Sequence, residues 1–293
     1  MSIAIYGEDD LVRLSVTYNG YNFNDPDADP LNRCELNTVV IGNQYDQAID
    51  ADPSRDGSIL GRARRSMKFV RLDATLRATT QASLFDQAQN LAVATDPALR
   101  SYRNDTAASS LVAPMWGVSA LDFSTPTADT TNYSTGLIPS RFYARPRGSA
   151  PIPVSQYTGL GTFFTVEFLV PDPVRYWQTA SSGAAGTIDN SLATAQSWPT
   201  VTIVMSGAGS ATYTLTRTGT YHTNALVLDL SGLTTETVTV DMIRHKIYTD
   251  STETPGLYVS GTYFELEATS QTVAATNATN AATTIAWRRA FVA

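Results

Sequence analysis

One long alternating segment and the prolines that end it constrain the architecture more than any other feature. Residues 162–170 read TFFTVEFLV, and their period of two predicts a β-strand. The side chains on one side of this strand are Phe164, Val166, Phe168 and Val170. Pro171 and Pro173 follow at once, and because neither can donate a ladder hydrogen bond, the strand must end there. A small-residue run, Ser181–Thr187, comes next, so the sequence predicts two domains, residues 1–177 and 178–293.

The composition predicts a folded, β-rich protein. Apolar residues make up 43% of the chain and charged residues 16%, which is typical of globular domains. Threonine and valine are abundant, and both favour strands. No apolar run approaches the roughly 18 residues that span a bilayer, so we expect no membrane insertion. The first residues, MSIAIYGEDD, lack the basic region of a secretory signal, and we expect a protein made in the cytoplasm.

The first domain combines strands with one helix. Residues 66–76 alternate as a strand, and then the apolar period changes to that of a helix face. The residues on this face are Leu84, Phe85, Ala88, Leu91 and Ala92. Thr79 or Thr80 can cap the helix start. Two polar stretches, residues 18–33 and 42–63, exceed ordinary hairpin loops, and we interpret them as arms that reach another subunit.

The second domain shows short β segments at close intervals. They cover residues 200–205, 211–217, 225–230, 237–248, 257–267 and 284–292, with Gly, Ser and Thr between them. This spacing predicts a β-sandwich or jelly roll. The predicted fold class is therefore mainly β, with two β domains: a β-sandwich-like first domain carrying one α-helix, and a second sandwich.

Catalytic machinery is sparse in the sequence. His222 and His245 are the only histidines, and neither belongs to a recognisable motif. Cys34 has no partner for an intramolecular disulfide, and we interpret it as a buried structural residue. Two aspartate clusters, Asp25-Asp27-Asp29 and Asp50-Asp52-Asp56, lack the glycine that a calcium loop needs at its turn. We therefore expect no enzyme activity, no cofactor and no metal site.

Charge gives one candidate interface. The net charge of −7 argues against a nucleic-acid binder, although DNA could slide past a negative wall without sticking. Arg62, Arg64 and Arg65 form a basic cluster, which is a solvated strand edge, a subunit or hub contact or, as the third alternative, a phosphate-binding site. Arginine pairs with carboxylates in a bidentate manner, so a neighbouring acidic copy would suit it.

The order of these features resembles the distal tail protein (Dit) family of long-tailed bacteriophages. In the first domain the resemblance rests on Gly57–Gly61 before the arginine-rich strand, on the single helix, and on the Pro-Asp-Pro exit that leads to Trp177. In the second domain it rests on residues 238–248, 262–266 and 283–289, which are similar to that family's galectin-like sandwich. Where the family often has Leu-x-Pro-Gly-x-Asn, this chain has Leu266-Glu-Ala-Thr-Ser.

The resemblance implies a structural role in the virion. Members of the family form a homo-hexameric ring that joins the tail tube protein to the tip hub protein, or baseplate. DNA passes through the lumen during ejection. The galectin-like domain projects outward and carries receptor-binding or side-fibre proteins. For this chain the resemblance thus implies a ring-forming first domain, a galectin-like second domain and a place at the phage tail tip after assembly in the host cytoplasm.

A carbohydrate-binding module is the second hypothesis, because sugar sites combine an exposed aromatic ring with polar partners. The candidate stacking residues are Trp198, Tyr221, Tyr258 and Tyr263, for which packing in the core or a loop is the alternative. A glycan hydrolase is the third hypothesis, but the sequence singles out no carboxylate pair for it.

Overall fold

The computed structural model describes most of the chain. The described residues are 4–5, 15–24, 33–46, 49–51, 58–60, 64–96, 119–126, 129–148, 161–171 and 174–292. They form two compact units, one holding the described residues up to Pro171 and the other those from Val174 onward. Both units are built from antiparallel strands, which confirms the prediction of a mainly β protein with two β-rich parts.

The first unit contains ten strands and a helix. The strands are β1 (Ala4–Ile5), β2 (Val16–Tyr18), β3 (Tyr21–Asn22), β4 (Cys34–Asp46), β5 (Ile49–Ala51), β6 (Ser58–Leu60), β7 (Arg64–Arg77), β8 (Ser119–Pro126), β9 (Leu137–Pro146) and β10 (Gly161–Val170). Eight of them pair in the order β1-β4-β7-β10-β9-β8-β2-β3, and β5 pairs with β6 separately. The helix, α1, covers Gln81–Thr95 and is the only α-helix within the described ranges.

The predicted alternation of β10 is confirmed. Phe164, Val166, Phe168 and Val170 are all at most 2% exposed and belong to the core of the first unit. Strand β10 runs antiparallel to β7 along its whole length, from Gly161 opposite Arg77 to Val170 opposite Lys68. Full burial of a large apolar side chain contributes about 1.5–3 kcal/mol, so this strand is a main source of the unit's stability.

Helix α1 begins where the sequence predicts, but its buried face differs from the predicted one at Phe85, which is exposed, and at Ala92, which is only half-buried. The side-chain oxygen of Thr80 accepts a hydrogen bond from the N–H of Ser83 at 3.1 Å, which caps the helix start. Leu84, Ala88 and Leu91 are buried, whereas Phe85 is 53% exposed. The prediction for Phe85 is wrong because the buried stripe runs through positions 84, 88 and 91, and a neighbour one position along points about 100° away.

The polar stretch 42–63, which we interpret as an arm that reaches another subunit, contains strands in its described residues. Strand β4 extends to Asp46, which lies opposite Arg64 at the start of β7. Beyond that point, β5 and β6 pair from Ile49 opposite Leu60 to Ala51 opposite Ser58. We call residues 47–63 the ribbon. The other polar stretch, residues 18–33, includes β3, and its residues 25–32 lie outside the described part of the chain.

The second unit contains thirteen strands. They are β11 (Val174–Trp177), β12 (Ser181–Ala184), β13 (Gly186–Asp189), β14 (Thr200–Met205), β15 (Tyr213–Thr218), β16 (Thr223–Leu228), β17 (Thr237–Asp241), β18 (Lys246–Thr249), β19 (Thr252–Glu253), β20 (Tyr258–Gly261), β21 (Ser270–Thr276), β22 (Ala281–Trp287) and β23 (Ala290–Val292). A 3₁₀ turn, Pro255–Leu257, precedes β20.

These strands form the predicted sandwich. One sheet has the order β12-β22-β14-β17-β18-β19, and the other has the order β13-β21-β15-β16-β20. The two sheets share one core, to which Val201 and Ile285 contribute from the first sheet and Leu215 and Leu226 from the second. Strand β11 pairs with the final strand β23, so Val174–Trp177 is part of this unit. The division into two independently folding domains, residues 1–177 and 178–293, stays a prediction.

The segment 237–248, predicted as one strand, is a hairpin. Strands β17 and β18 pair with Asp241 opposite Lys246, and a four-residue turn ending at His245 joins them. His245 has a left-handed backbone with φ of 55°, and the N–H of Arg244 donates to an oxygen of Asp241 at 3.1 Å. The prediction missed this turn because its residues include neither glycine nor proline.

Candidate binding surface

An extended segment of the second unit, Tyr263–Glu267, organises the candidate surface. Phe264 and Leu266 are buried in the sandwich core. Leu266 is also held by a bridge to Ser197, with N–H to carbonyl distances of 2.7 and 2.9 Å in the two directions. The other residues of the segment are also at least partly enclosed: Tyr263 packs partly against the same core, Glu265 is half-buried and Glu267 is buried.

Aromatic rings flank Tyr263, the first residue of this segment. The ring of Tyr263 stacks on the imidazole of His245, with centroids 4.7 Å apart and planes 12° apart. Tyr258 lies nearly parallel to Tyr263 at 6.0 Å, and Trp198 lies 6.2 Å from His245. The hydroxyl of Tyr258 donates to the carbonyl of Gly261 at 2.9 Å, which fixes the orientation of that ring. We call these four rings the aromatic row.

The structure therefore brings together three of the four predicted stacking residues, Trp198, Tyr258 and Tyr263. It adds His245, which belongs to no recognisable motif in the sequence. Trp198 and Tyr263 are half-buried against the core, whereas Tyr258 is 41% exposed. The exposed aromatic area of the row thus comes mainly from Tyr258 and from the exposed His245.

Glu267, at the other end of the segment, is enclosed by the loop between β15 and β16. Its carboxylate forms an ion pair with the guanidinium of Arg217, and both side chains are at most 4% exposed. It also accepts hydrogen bonds from three successive backbone N–H groups, at 2.8 Å from Thr220, 3.2 Å from Tyr221 and 3.1 Å from His222. Burial acts to raise the pKa of Glu267, but these donors outweigh it and hold that pKa below its usual value.

This enclosure fixes the position of the fourth predicted residue. Tyr221 is anchored by its own N–H on Glu267, while its side chain is 75% exposed. Arg217 also donates to the side-chain oxygen of Asn224 at 2.7 Å, which ties the loop to β16. Sequence reasoning did not identify Glu267 or Arg217, because each stands alone in a β segment without a motif.

Glu265 lies between the aromatic row and this loop. Burial raises the pKa of its carboxyl group, and the neighbouring charges of Arg217 and His222 and a hydrogen bond with Gln196 oppose that rise. The residue is half-buried. This part of the second unit therefore combines a half-buried carboxylate with the exposed rings of Tyr258 and His245, which are groups that can contact a ligand.

The basic cluster of the first unit is only partly described. Arg62 lies outside the described residues, and the backbone register places Arg64 opposite Asp46 and Arg65 opposite Tyr45. The assignment of this cluster to a subunit or hub contact stays a prediction. The aspartates of the two clusters rejected as calcium loops also lie outside the described residues, apart from Asp50, which is in β5.

The remaining reactive groups show no built catalytic or metal site within the described residues. Cys34 is a free, buried cysteine. Burial raises the pKa of its thiol to about 12, although a hydrogen bond with Tyr21 acts to lower that pKa. No group of three or more His, Cys, Asp or Glu side chains is placed to hold a metal ion in this part of the chain. No described helix is long and apolar enough to cross a membrane.

Comparison with solved structures identifies the fold. The chain is similar to SPP1 Dit, described as a paradigm of the hub adsorption apparatus of phages that infect Gram-positive bacteria. The TM-score is 0.58 at 13% sequence identity, and the match covers 95% of this chain and 99% of that one. The chain has the fold of a phage distal tail protein.

Weaker similarities concern two structures of the phage P2 baseplate in its activated conformation. Their TM-scores are 0.42 and 0.47, each at 6% identity. The matches cover 85% of this chain and 87% of the other in the calcium form, and 94% and 97% in the strontium form. Neither a family model nor a curated protein sequence matches the chain.

Proposed function

We propose that this protein is a structural component of a phage tail tip, where it forms a homo-hexameric ring. The observation that carries the proposal is the fold likeness to SPP1 Dit, which extends over both units of the chain and almost the whole of the other protein. In this function the ring joins the tail tube protein to the tip hub protein. The protein acts by assembly, without catalysis, and its place is in the virion after assembly in the host cytoplasm.

The first unit is the part that builds the ring in this proposal. Its β4–β7 pair carries the ribbon, whose two short strands pair with each other and not with the large sheet. A short β ribbon of this kind offers backbone groups and side chains to a neighbouring copy. Arg62, Arg64 and Arg65 flank its return strand and would meet carboxylates of the neighbour or of the hub.

DNA would pass through the ring without being held. The chain has a net charge of −7, and six copies around one channel multiply any charge on its wall sixfold. A neutral or acidic wall repels phosphate, so DNA slides without sticking. The second unit would project outward and present receptor-binding or side-fibre proteins.

The mass of the protein in solution tests this proposal. We expect light scattering coupled to size exclusion to give about six times 31.6 kDa, and negative-stain images of that fraction to show rings with a central channel. A protein that stays monomeric at every concentration, including in the presence of purified tail tubes, would contradict the ring.

A further inference from the structure

The sequence contains one Asn-Gly pair, Asn19-Gly20, and it forms the turn between β2 and β3. Tyr18 lies opposite Tyr21, so the turn has two residues. Both have positive φ, 52° for Asn19 and 76° for Gly20. These are the features of a type I′ turn, in which asparagine followed by glycine is a preferred pair. The hairpin therefore depends on this pair for its backbone conformation.

The side chain of Asn19 also holds the end of helix α1. Its amide nitrogen Nδ2 donates to the carbonyl oxygen of Ala94 at 3.0 Å. Ala94 lies in the last turn of the helix, where the carbonyl groups accept no hydrogen bond from within the helix. The hairpin is fixed in the core, because Tyr18 is 1% exposed and its hydroxyl donates to the carbonyl of Ala144 at 3.2 Å. Asn19 thus connects a buried hairpin to the C-terminal end of α1.

An asparagine followed by glycine is chemically unstable in a flexible chain. The backbone nitrogen of Gly20 attacks the side-chain carbonyl carbon of Asn19 and forms a C–N bond. The proton of that nitrogen passes to the side-chain nitrogen of Asn19, which leaves as ammonia. Water then opens the succinimide ring at either carbonyl, and the product at position 19 is aspartate or isoaspartate. Glycine favours this reaction because it has no side chain to hinder the attack.

The folded first unit blocks this attack. A type I′ turn gives its first central residue a ψ of about 30°. With that ψ, the bond to the nitrogen of Gly20 points away from the Cβ of Asn19. No rotation of the side chain then brings its carbonyl carbon to that nitrogen. The hydrogen bond to Ala94 also holds the amide on α1. The reaction therefore requires the β2–β3 turn to open.

We propose that Asn19 is a deamidation site, with water as its only co-reactant, which the folded first unit protects and an opened turn exposes. The product does not restore the contact with α1. Aspartate presents oxygen atoms to the carbonyl of Ala94, and its negative charge is unfavourable at the C-terminal end of a helix. Isoaspartate adds a methylene group to the backbone, which a two-residue turn does not accommodate. A protomer that has opened and reacted is therefore permanently weakened at this end of α1.

Peptide mapping by mass spectrometry tests the protection with the full chain, in native buffer and in urea at the same pH. We expect Asn19 to react at least about tenfold faster in urea, because the native rate is the unfolded rate multiplied by the fraction of molecules with an open turn. Asn277 and Asn280 are internal controls, since they have left-handed backbones but precede alanine. In urea they should react more slowly than Asn19. Gly20→Ala should slow Asn19 in urea to their rate, a measurement that needs no folded chain.

Hydrogen exchange tests the contact with α1. Asn19→Asp should speed amide exchange at the end of the helix, residues 92–95. The matched control is Asn277→Asp, which removes a similar hydrogen bond in the second unit, from Nδ2 to the carbonyl of Thr212 at 2.9 Å, and should leave α1 unchanged. Three outcomes would each overturn the proposal: equal deamidation of Asn19 in native buffer and in urea, an unaltered urea rate in Gly20→Ala, or wild-type exchange of α1 in Asn19→Asp.

Discussion

The guanidinium of Arg217 and the carboxylate of Glu267 form an ion pair that is almost completely buried, with 2% and 4% of the side chains exposed. A buried pair of charges is costly to desolvate, and it persists only where further hydrogen bonds compensate. Here the carboxylate of Glu267 accepts hydrogen bonds from N–H groups of the β15–β16 loop, and the guanidinium of Arg217 donates one to the side-chain oxygen of Asn224. The pair therefore holds together the end of β15, the β15–β16 loop and the segment that follows Phe264.

Removing the charge of Glu267 should destabilise the second unit strongly. Glu267→Gln leaves the guanidinium of Arg217 buried without a counter-charge, which typically costs about 3–5 kcal/mol. Urea unfolding followed by tryptophan fluorescence measures this, because Trp177, Trp198 and Trp287 all lie in the second unit. The urea midpoint should fall well below that of the wild type.

The control for this experiment is Glu253→Gln. Glu253 pairs with Lys246 at 2.6 Å, but both side chains are more than 40% exposed. Water and salt screen such a pair, so its loss should hardly move the urea midpoint. Equal midpoints for Glu267→Gln and Glu253→Gln would show that the buried pair contributes nothing beyond an exposed one.

The stability contributed by Glu267 should disappear in acid. Its pKa in the folded protein is lowered, so the ionised carboxylate stabilises the fold at pH 7. This contribution is present above the unfolded value of about 4.3 and is lost as the pH falls through the lower folded value. The difference in urea midpoint between wild type and Glu267→Gln should therefore be large at pH 7 and shrink below about pH 4. A difference that stays constant with pH would contradict this assignment.

Cys34 should be unreactive in the folded protein. The thiolate is the nucleophilic form, and a thiol pKa of about 12 leaves very little of it at pH 8. Iodoacetamide at pH 8 should add no mass to the native chain and one adduct to the chain in urea, as measured by mass spectrometry. Modification of the native protein at the rate of the unfolded one would show that Cys34 is accessible.

Periodic features of the fold could be predicted from the sequence, because burial imposes them residue by residue. The period of two from Phe164 to Val170 and the cap at Thr80 are local patterns with local causes. Phe85 shows the limit of such reasoning, since a helix face is set by what packs on it and not by hydrophobicity alone. The turn at His245 was missed because a left-handed residue other than glycine is uncommon and leaves no trace in composition.

The sequence predicted the aromatic residues of the candidate surface but not the buried carboxylate of Glu267. Exposed aromatic residues suggested Trp198, Tyr221, Tyr258 and Tyr263, but their grouping depends on strands far apart in the sequence. Glu267 could not be found at all, because its donors lie about 46 residues earlier and three of them are backbone N–H groups. A residue whose function depends on backbone geometry has no sequence pattern of its own.

Deleting the ribbon should abolish ring assembly without unfolding the protomer. Asp46 and Arg64 lie opposite each other, so residues 47–63 can be replaced by an Asn-Gly turn that closes β4 and β7 as a hairpin. We expect a folded monomer by circular dichroism and light scattering. The matched control replaces Asp250-Ser251, an exposed turn of two left-handed residues in the second unit, with Asn-Gly, and it should assemble normally. A full ring without the ribbon would exclude the ribbon as the assembly element.

The basic cluster should contribute to assembly through charge. Changing Arg62, Arg64 and Arg65 together to Glu reverses three charges and so lowers the net charge by about six units per protomer at the proposed contact. Single exposed ion pairs contribute only about 0–1 kcal/mol, so one change would be too small to detect. We expect the triple variant to need a higher protein concentration to form rings, and the defect to be greatest at low salt, where charges are least screened.

A second triple variant separates charge at the contact from net charge. It changes three other arginines of the first unit, whose side chains are 50–69% exposed and which pair with carboxylates of their own unit: Arg71, Arg77 and Arg147. This variant has the same net charge as the first, so any general repulsion between protomers is equal in the two. The concentration for half-assembly should rise only when residues 62, 64 and 65 are changed. Equal shifts in both variants, or none at any salt concentration, would place the cluster on a solvated strand edge.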